Sequence, residues 1–209
     1  MPVRPKVIYV AKRNPALSPA AFQERWRAHG ALAMGLPIWR NMWKYAQSDP
    51  LPVAGIEPDC DAIGLVWYRG WDALDAIAAR PALRQPLLDD ELLTFAGHVR
   101  ECALMTEETV LQAGTAFEYK VFVFGSAAEA VERALGNSAR VGRIARSDAV
   151  HNAYTTASRL QHEAVYEAWY PDARDAETAL GEIGAQLRDA PLRMMVARER
   201  PLYGPAPDA

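Results

Sequence analysis

The chain has 209 residues, half of them hydrophobic, and a formal net charge of −3. That suffices for one large or two small domains with a sizeable core, and it offers no basic field for nucleic acid or an anionic membrane. Cys60 and Cys102 make neither a disulfide framework nor a metal-ligand cluster, no apolar run approaches the roughly 18 residues of a membrane helix, and Met1-Pro2-Val3-Arg4-Pro5 has no signal-peptide character, so a cytoplasmic protein is expected.

Lys6–Lys12 alternates around Val7, Ile8, Tyr9 and Val10 and predicts a strand. Ser18-Pro19 supplies an N-cap with proline at the first helical position, and the helix should run to about Met34, stopped by Gly35 and Pro37. Met42–Gln47 reads as a second strand, Ser48–Pro58 as a Pro-rich loop, and Asp61–Tyr68 as a third strand. A helical pattern over Trp71–Ala79 breaks at Pro81 and resumes over Leu83–Phe95, and Cys102–Leu111 reads as a fourth strand. Gln112-Ala113-Gly114 marks a boundary, giving units 1–113 and 114–209. The second unit repeats the order: strand Glu118–Phe124, helix Ala127–Leu135, strands Asn152–Ala157 and Ala164–Tyr170, helix Asp175–Arg188, strand Arg193–Arg200. Pro201–Ala209 reads mostly as a loose tail.

Two echoes tie the units together. Asp61-Ala62-Ile63-Gly64-Leu65-Val66-Trp67-Tyr68 is matched by Glu163-Ala164-Val165-Tyr166-Glu167-Ala168-Trp169-Tyr170, and Lys6-Val7-Ile8-Tyr9-Val10 by Lys120-Val121-Phe122-Val123-Phe124. Repeats of this kind mean paired copies of one supersecondary unit. Each unit is β-α-β-β-α-β, the ferredoxin-like split pattern, which puts both helices on one face of an antiparallel sheet and leaves the other to be covered. In the third strand Ile63, Leu65 and Trp67 point one way and Ala62, Gly64 and Val66 the other. The fold class is therefore α+β, with two tandem repeats whose sheets pack face to face as a pseudo-dimeric α+β barrel.

The first helix carries the best candidate chemistry. Phe22, Trp26, His29 and Ala33 fall at i, i+4, i+7 and i+11 and share one stripe facing the sheet. A buried imidazole there has a lowered pKa and suits general acid–base work near neutral pH; the same spacing fits a core histidine satisfied by a backbone carbonyl. Tyr45 shares a strand face with Trp43 and Gln47, as a hydrogen-bond donor to a substrate oxygen gaining charge or as an ordinary sheet tyrosine. Asp61 shares a face with Trp67 and could orient a histidine, act as a second acid or act structurally, and His98 could join His29 or lie on the surface. Tyr9, Trp26, Trp43 and Trp67 suit the walls of a pocket for a flat or hydrophobic ligand. One of Glu107 and Glu108 should face inward; Cys60 reads as a small core residue, and Arg25, Arg27 and Arg40 as a solvated set. The sequence holds no Gly-rich phosphate loop, no Gly-x-Ser-x-Gly elbow, no His-x-x-x-His and no Cys-x-x-Cys. Nucleotide, serine-hydrolase and structural-zinc readings fall away.

Leu17-Ser18-Pro19-Ala20-Ala21-Phe22, followed by Trp26-Arg27-Ala28-His29, resembles the signature of the EthD-like family in the dimeric α+β barrel superfamily. Trp43-Lys44-Tyr45-Ala46-Gln47, the strand opened by Asp61, Asp90-Glu91…Phe95 and Glu107-Glu108 extend the likeness over roughly residues 6–112. The second unit lacks it, since Ala127–Leu135 has neither histidine nor tryptophan. The resemblance implies a pocket between sheet and helices and a superfamily that includes cofactor-free oxygenases, polyketide cyclases, dehydratases, isomerases and some haem binders. Two readings stay open. One is a cofactor-independent lyase of the dehydratase type, or an isomerase, acting on a hydrophobic aromatic or polyketide-like molecule with His29 moving the proton and Tyr45 holding the oxygen. The other is a non-catalytic carrier of such a ligand, or of haem with His29 as axial ligand, and the resemblance also allows a cofactor-free oxygenase of the same superfamily. No cofactor is expected on the first reading, and a homodimer stays open on both.

Overall fold

The computed structural model describes residues 4–54, 57–126, 128–150 and 157–204. The first half contains β1 (Pro5–Ala11), α1 (Pro19–Gly35), β2 (Met42–Leu51), β3 (Ala62–Tyr68), α2 (Trp71–Ala78), α3 (Gln85–Thr94) and β4 (Ala103–Gln112). The second contains β5 (Tyr119–Gly125), α4 (Ala128–Gly136), β6 (Arg143–Ala149), β7 (Ala164–Tyr170), α5 (Ala173–Gln186) and β8 (Arg193–Tyr203). Ser18 caps α1 as its residue type demands, its hydroxyl accepting the Ala21 N–H at 3.2 Å. Phe22, Trp26, His29, Gly30 and Ala33 form the buried stripe of that helix.

All strand pairs are antiparallel, and the eight strands close into one barrel in the order β1-β3-β2-β8-β5-β7-β6-β4. Each half contributes four neighbouring strands in the ferredoxin-like order. The halves are sewn together at two seams, β2 with β8 and β4 with β6. The pseudo-dimeric α+β barrel expected from the doubled sequence is thus what forms, closed by one chain, and closure leaves no free sheet edge. Among the described residues no helix is long and apolar enough to cross a membrane.

Strand alternation divides the apolar residues between two environments. Ile8, Val10, Ile63, Leu65 and Trp67 point into the lumen with Phe122, Phe124 and Val165. Val7, Tyr9, Ala11, Tyr45 and Ala62 point outward, under the helices of the first half. The helices of the second half cover an equivalent outer face filled by Val121, Val123, Tyr166, Tyr170, Leu135 and Ile183.

One end of the lumen is ionic. Glu108 pairs with Lys6 at 2.6 Å, Lys6 with Glu167, Glu167 with Lys120 at 2.7 Å, and Lys120 with Glu199. The duplication explains its symmetry. Lys6 and Lys120 are matching residues of the two copies, and each ammonium lies over its own copy's tryptophan, Trp67 at 4.5 Å and Trp169 at 4.2 Å. Glu167 stands where the first copy has Leu65, so one carboxylate serves both lysines.

Four expectations need correction. The strand expected at Asn152–Ala157 is not the partner of β7; β6 lies earlier, at Arg143–Ala149, and residues 152–156 fall outside the described residues. Its sequence, Arg-Ile-Ala-Arg-Ser-Asp-Ala, has little apolar alternation, and its ladders with β4 and β7 give it its strand form. Ser48–Leu51 is not loop but the end of β2, paired with Glu199–Val196 of β8. Pro201–Tyr203 likewise belongs to β8, and residues 205–209 fall outside the described residues. Finally, the β2–β3 register shifts between Met42 and Lys44. The extra residue turns Trp43 toward the lumen cluster and away from the face of Tyr45 and Gln47.

Candidate functional site

His29 sits in α1 against α3. Its Nδ1 lies 2.7 Å from Asp90 Oδ2, and its ring meets Phe95 edge-on at 5.2 Å. Asp90 is held from other sides by the Arg25 guanidinium and, at 3.3 Å, by the Thr94 hydroxyl. Burial works against charge on Asp90, yet hydrogen bonds from Arg25 and His29 keep its carboxyl below the ordinary range. An ionised Asp90 accepts the Nδ1 proton, so the neutral ring keeps its lone pair on Nε2. Burial lowers the pKa of His29 more than Asp90 raises it. The side chain is a neutral base of fixed tautomer.

A phenol pair lines the same cavity as His29. Tyr9 and Tyr45 hydroxyls lie 3.1 Å apart. Trp26 Nε1–H donates to Tyr9 at 3.2 Å, while Gln47 Nε2 donates to Tyr45 at 3.0 Å and to the Trp26 carbonyl at 2.9 Å. Only one hydroxyl proton can lie between the two oxygens, which leaves the other for a ligand. Burial raises both phenols above their ordinary pKa, so they remain neutral donors. Two glycines make the arrangement fit. A Cβ on Gly30 would crowd Gln47, Leu202 and Tyr45, so α1 lies close over β2. Gly64 stands opposite Tyr9, and a Cβ there would collide with the phenol ring. Gly64→Ala is expected to displace Tyr9 and lower turnover while the fold persists, checked by paired turnover and melting measurements. Unchanged turnover would make Tyr9 dispensable.

His29, Tyr9 and Tyr45 line a cavity of about 70 Å³ with Trp39, Met42 and Glu91. Trp39 Nε1 is buried and has no hydrogen-bond partner among the described residues. The cavity adjoins an outer chamber of about 370 Å³ whose walls include Trp71, Leu74, Ile77, Leu87 and Leu88. Trp71 is anchored by its Nε1–H to Glu107 at 3.1 Å. The outer chamber alone reaches the roughly 300–1,000 Å³ usual for ligand sites; the inner one holds only a small head group.

Of the residues singled out from sequence, His29, Tyr45 and Tyr9 come together here, and Trp26 supports Tyr9 from behind. Trp43 and Trp67 do not join them, because both serve the lumen. Asp61 is tied to Arg13, accepting from its backbone N–H at 3.0 Å and from its guanidinium. His98 does not reach His29; it binds Glu91 at 3.1 Å and lines a separate surface cavity beside Glu101 and Cys102. Glu108 faces the lumen and Glu107 the helix layer. Arg25 is not a free surface charge, since it clamps Asp90. Cys60 rests 3.6 Å from Met195 sulfur, and burial pushes its thiol up to about 12, which suits a core residue. Sequence reasoning missed the roles of Asp90, Gln47, Trp39 and Glu91. The Asp-Glu pair before Phe95 was the one available signal.

The closed, pseudo-symmetric barrel with helices outside defines a protein of the dimeric α+β barrel class. Similar solved structures include a putative monooxygenase from Fusobacterium nucleatum subsp. nucleatum (TM-score 0.58, 10% identity, 96% of this chain and 94% of that one). A mutant chlorite dismutase from Candidatus Nitrospira defluvii in complex with cyanide is similar at TM-score 0.54 and 7% identity, over 95% and 91% of the chains. A putative chlorite dismutase is similar at 0.52 and 12%, over 96% of each. At such identities the likeness is one of fold. No curated protein matches the sequence. Residues 14–98 match the EthD domain family, a span that holds His29, Tyr45 and Asp90. The chain thus combines an EthD-like segment with the dimeric α+β barrel fold.

Haem, raised by the resemblance with His29 as axial ligand, does not fit these residues. The cavity beside His29 is about 70 Å³ and walled by Trp39, Met42, Tyr45 and Tyr68, too small to bring a porphyrin to Nε2.

Proposed function

We propose that the protein is a cofactor-independent lyase or isomerase that moves a proton next to a carbonyl in a hydrophobic aromatic or polyketide-like molecule. The observation that carries the reading is the buried His29, hydrogen-bonded to the half-buried Asp90, in the same small cavity as the Tyr9–Tyr45 pair. His29 Nε2 takes the proton α to the carbonyl, and the carbonyl oxygen, gaining charge, accepts a hydrogen bond from the free phenol proton. Asp90 positions the ring and stabilises the imidazolium that forms. The outer chamber, apolar over Trp71, Leu74, Ile77, Leu87 and Leu88, takes the body of the molecule. The molecule remains free to return the proton at the same or a neighbouring carbon.

The experiment is deuterium exchange. Benzylacetone, a methyl ketone with an aryl body, is incubated with the protein in D₂O and its α-positions are followed by NMR. Exchange well above buffer is expected, and none would refute the reading. Asp90→Asn is expected to lose most of a factor of about 100. Its amide N–H can donate to Nδ1, which moves the ring proton to Nε2 and removes the lone pair that acts as base. Exchange by Asp90→Asn at the wild-type rate would take the positioning role from Asp90.

A further inference from the structure

We propose that Glu91 is a second catalytic acid–base residue of this site, and that the reaction is loss of water from a β-hydroxy ketone whose aryl body occupies the outer chamber. The inference rests on the proton-moving role of His29 and selects the lyase outcome over isomerisation.

Glu91 follows Asp90 on α3 but faces elsewhere. It lines both the inner cavity and the outer chamber, and so stands at the neck between them with Ile38, Met42, Tyr68 and Leu87. Its residue exposure is only 5%. Oε2 is occupied, accepting from the Val99 backbone N–H and from His98 Nδ1, each at 3.1 Å. Oε1 has no hydrogen bond among the described residues, and a carboxyl proton belongs there. Burial raises the Glu91 carboxyl, against the hydrogen bonds from Val99 and His98, which favours the acid form. A merely structural carboxyl that fixes Val99 and His98 needs no place in the neck of two chambers.

The base and the acid thus line one continuous space, the base in the smaller cavity and the acid where the two cavities meet. A ketone with its carbonyl at the tyrosine pair and its body outside presents its α-carbon to His29 and its β-carbon to the neck. Nε2 takes the α-proton, the C–H electron pair passes toward the carbonyl oxygen, and the phenol proton holds that oxygen. The pair then returns to form the C=C bond, the β C–O bond breaks, and Glu91 gives its proton to the departing hydroxyl. The products are an enone and water, with no change of redox state. The imidazolium and the carboxylate left behind reset by solvent exchange. Within the chambers the other charged walls are Asp75 and Arg84, both in the outer one.

The test uses the aldol of benzaldehyde with acetone in D₂O, with α-exchange read by NMR and benzylideneacetone formation by its ultraviolet absorbance. Wild type should do both. Glu91→Gln keeps the acceptor for Val99 and the shape of the neck; it should retain exchange yet form the enone about 100-fold more slowly. His29→Ala should lose both activities. Enone formation by Glu91→Gln at the wild-type rate would overturn the inference, as would a wild type that exchanges without eliminating; in either case the His29 reading survives. A wild type that does neither would overturn both.

Discussion

His29→Ala is expected to lower ketone α-proton exchange by about 100-fold or more, the usual scale for losing a general base, while the barrel stays folded. The stability cost should be small beside that loss. The variant forfeits the 2.7 Å bond to Asp90 and the edge contact with Phe95, but Arg25 still neutralises Asp90, so about 1–3 kcal/mol is expected. Melting temperature and exchange measured on the same variant separate the two effects. Normal exchange in a well-folded His29→Ala protein would remove the catalytic reading and leave a carrier of hydrophobic ligands. The pH dependence has a definite sign. Burial holds the imidazole below its ordinary value of 6.5, so exchange should be flat through neutrality and fall only in more acid solution. The same shift affects stability. As pH falls below 6.5 the unfolded chain takes up this proton before the native one does, and stability is lost over the interval down to the native pKa.

Replacing Glu167 by leucine, the residue at the matching position of the first copy, is expected to cost about 3–5 kcal/mol, because it strips a shared carboxylate from two buried ammonium groups. Lys6, Lys120 and Glu167 are all fully buried, and after the change Lys6 keeps Glu108 and the Ser147 hydroxyl, and Lys120 keeps Glu199. Denaturant midpoints of wild type and variant give the difference directly. A cost under about 1 kcal/mol, the scale of an exposed ion pair, would show that water reaches the lumen. Burial pushes the Glu167 carboxyl up, but Lys120 and Lys6 together hold it well below its ordinary 4.5. Its contribution is therefore complete above pH 4.5 and lost as pH falls toward the native value, so wild type and variant should converge in acid.

The sequence by itself determined the element order, the doubled unit and the faces of the strands. Those features are periodic: the stripe Phe22–Trp26–His29–Ala33 and the alternation of Ile63, Leu65 and Trp67 report which side of one element meets water, and that can be read without knowing the neighbour. The same logic placed His29 and Tyr45 on buried faces of the first half. Tertiary structure alone decided the partners. Asp90 lies 61 residues from His29, and Glu167 lies 161 from Lys6. No local period joins them, and only barrel closure and the packing of α1 on α3 bring them within reach. β6 was missed because Arg143–Ala149 takes its strand form from hydrogen bonds to β4 and β7 rather than from its own apolar pattern. Trp43 was misplaced because one inserted residue shifts the register, and an alternation counted along the chain is silent about a bulge that two strands make together.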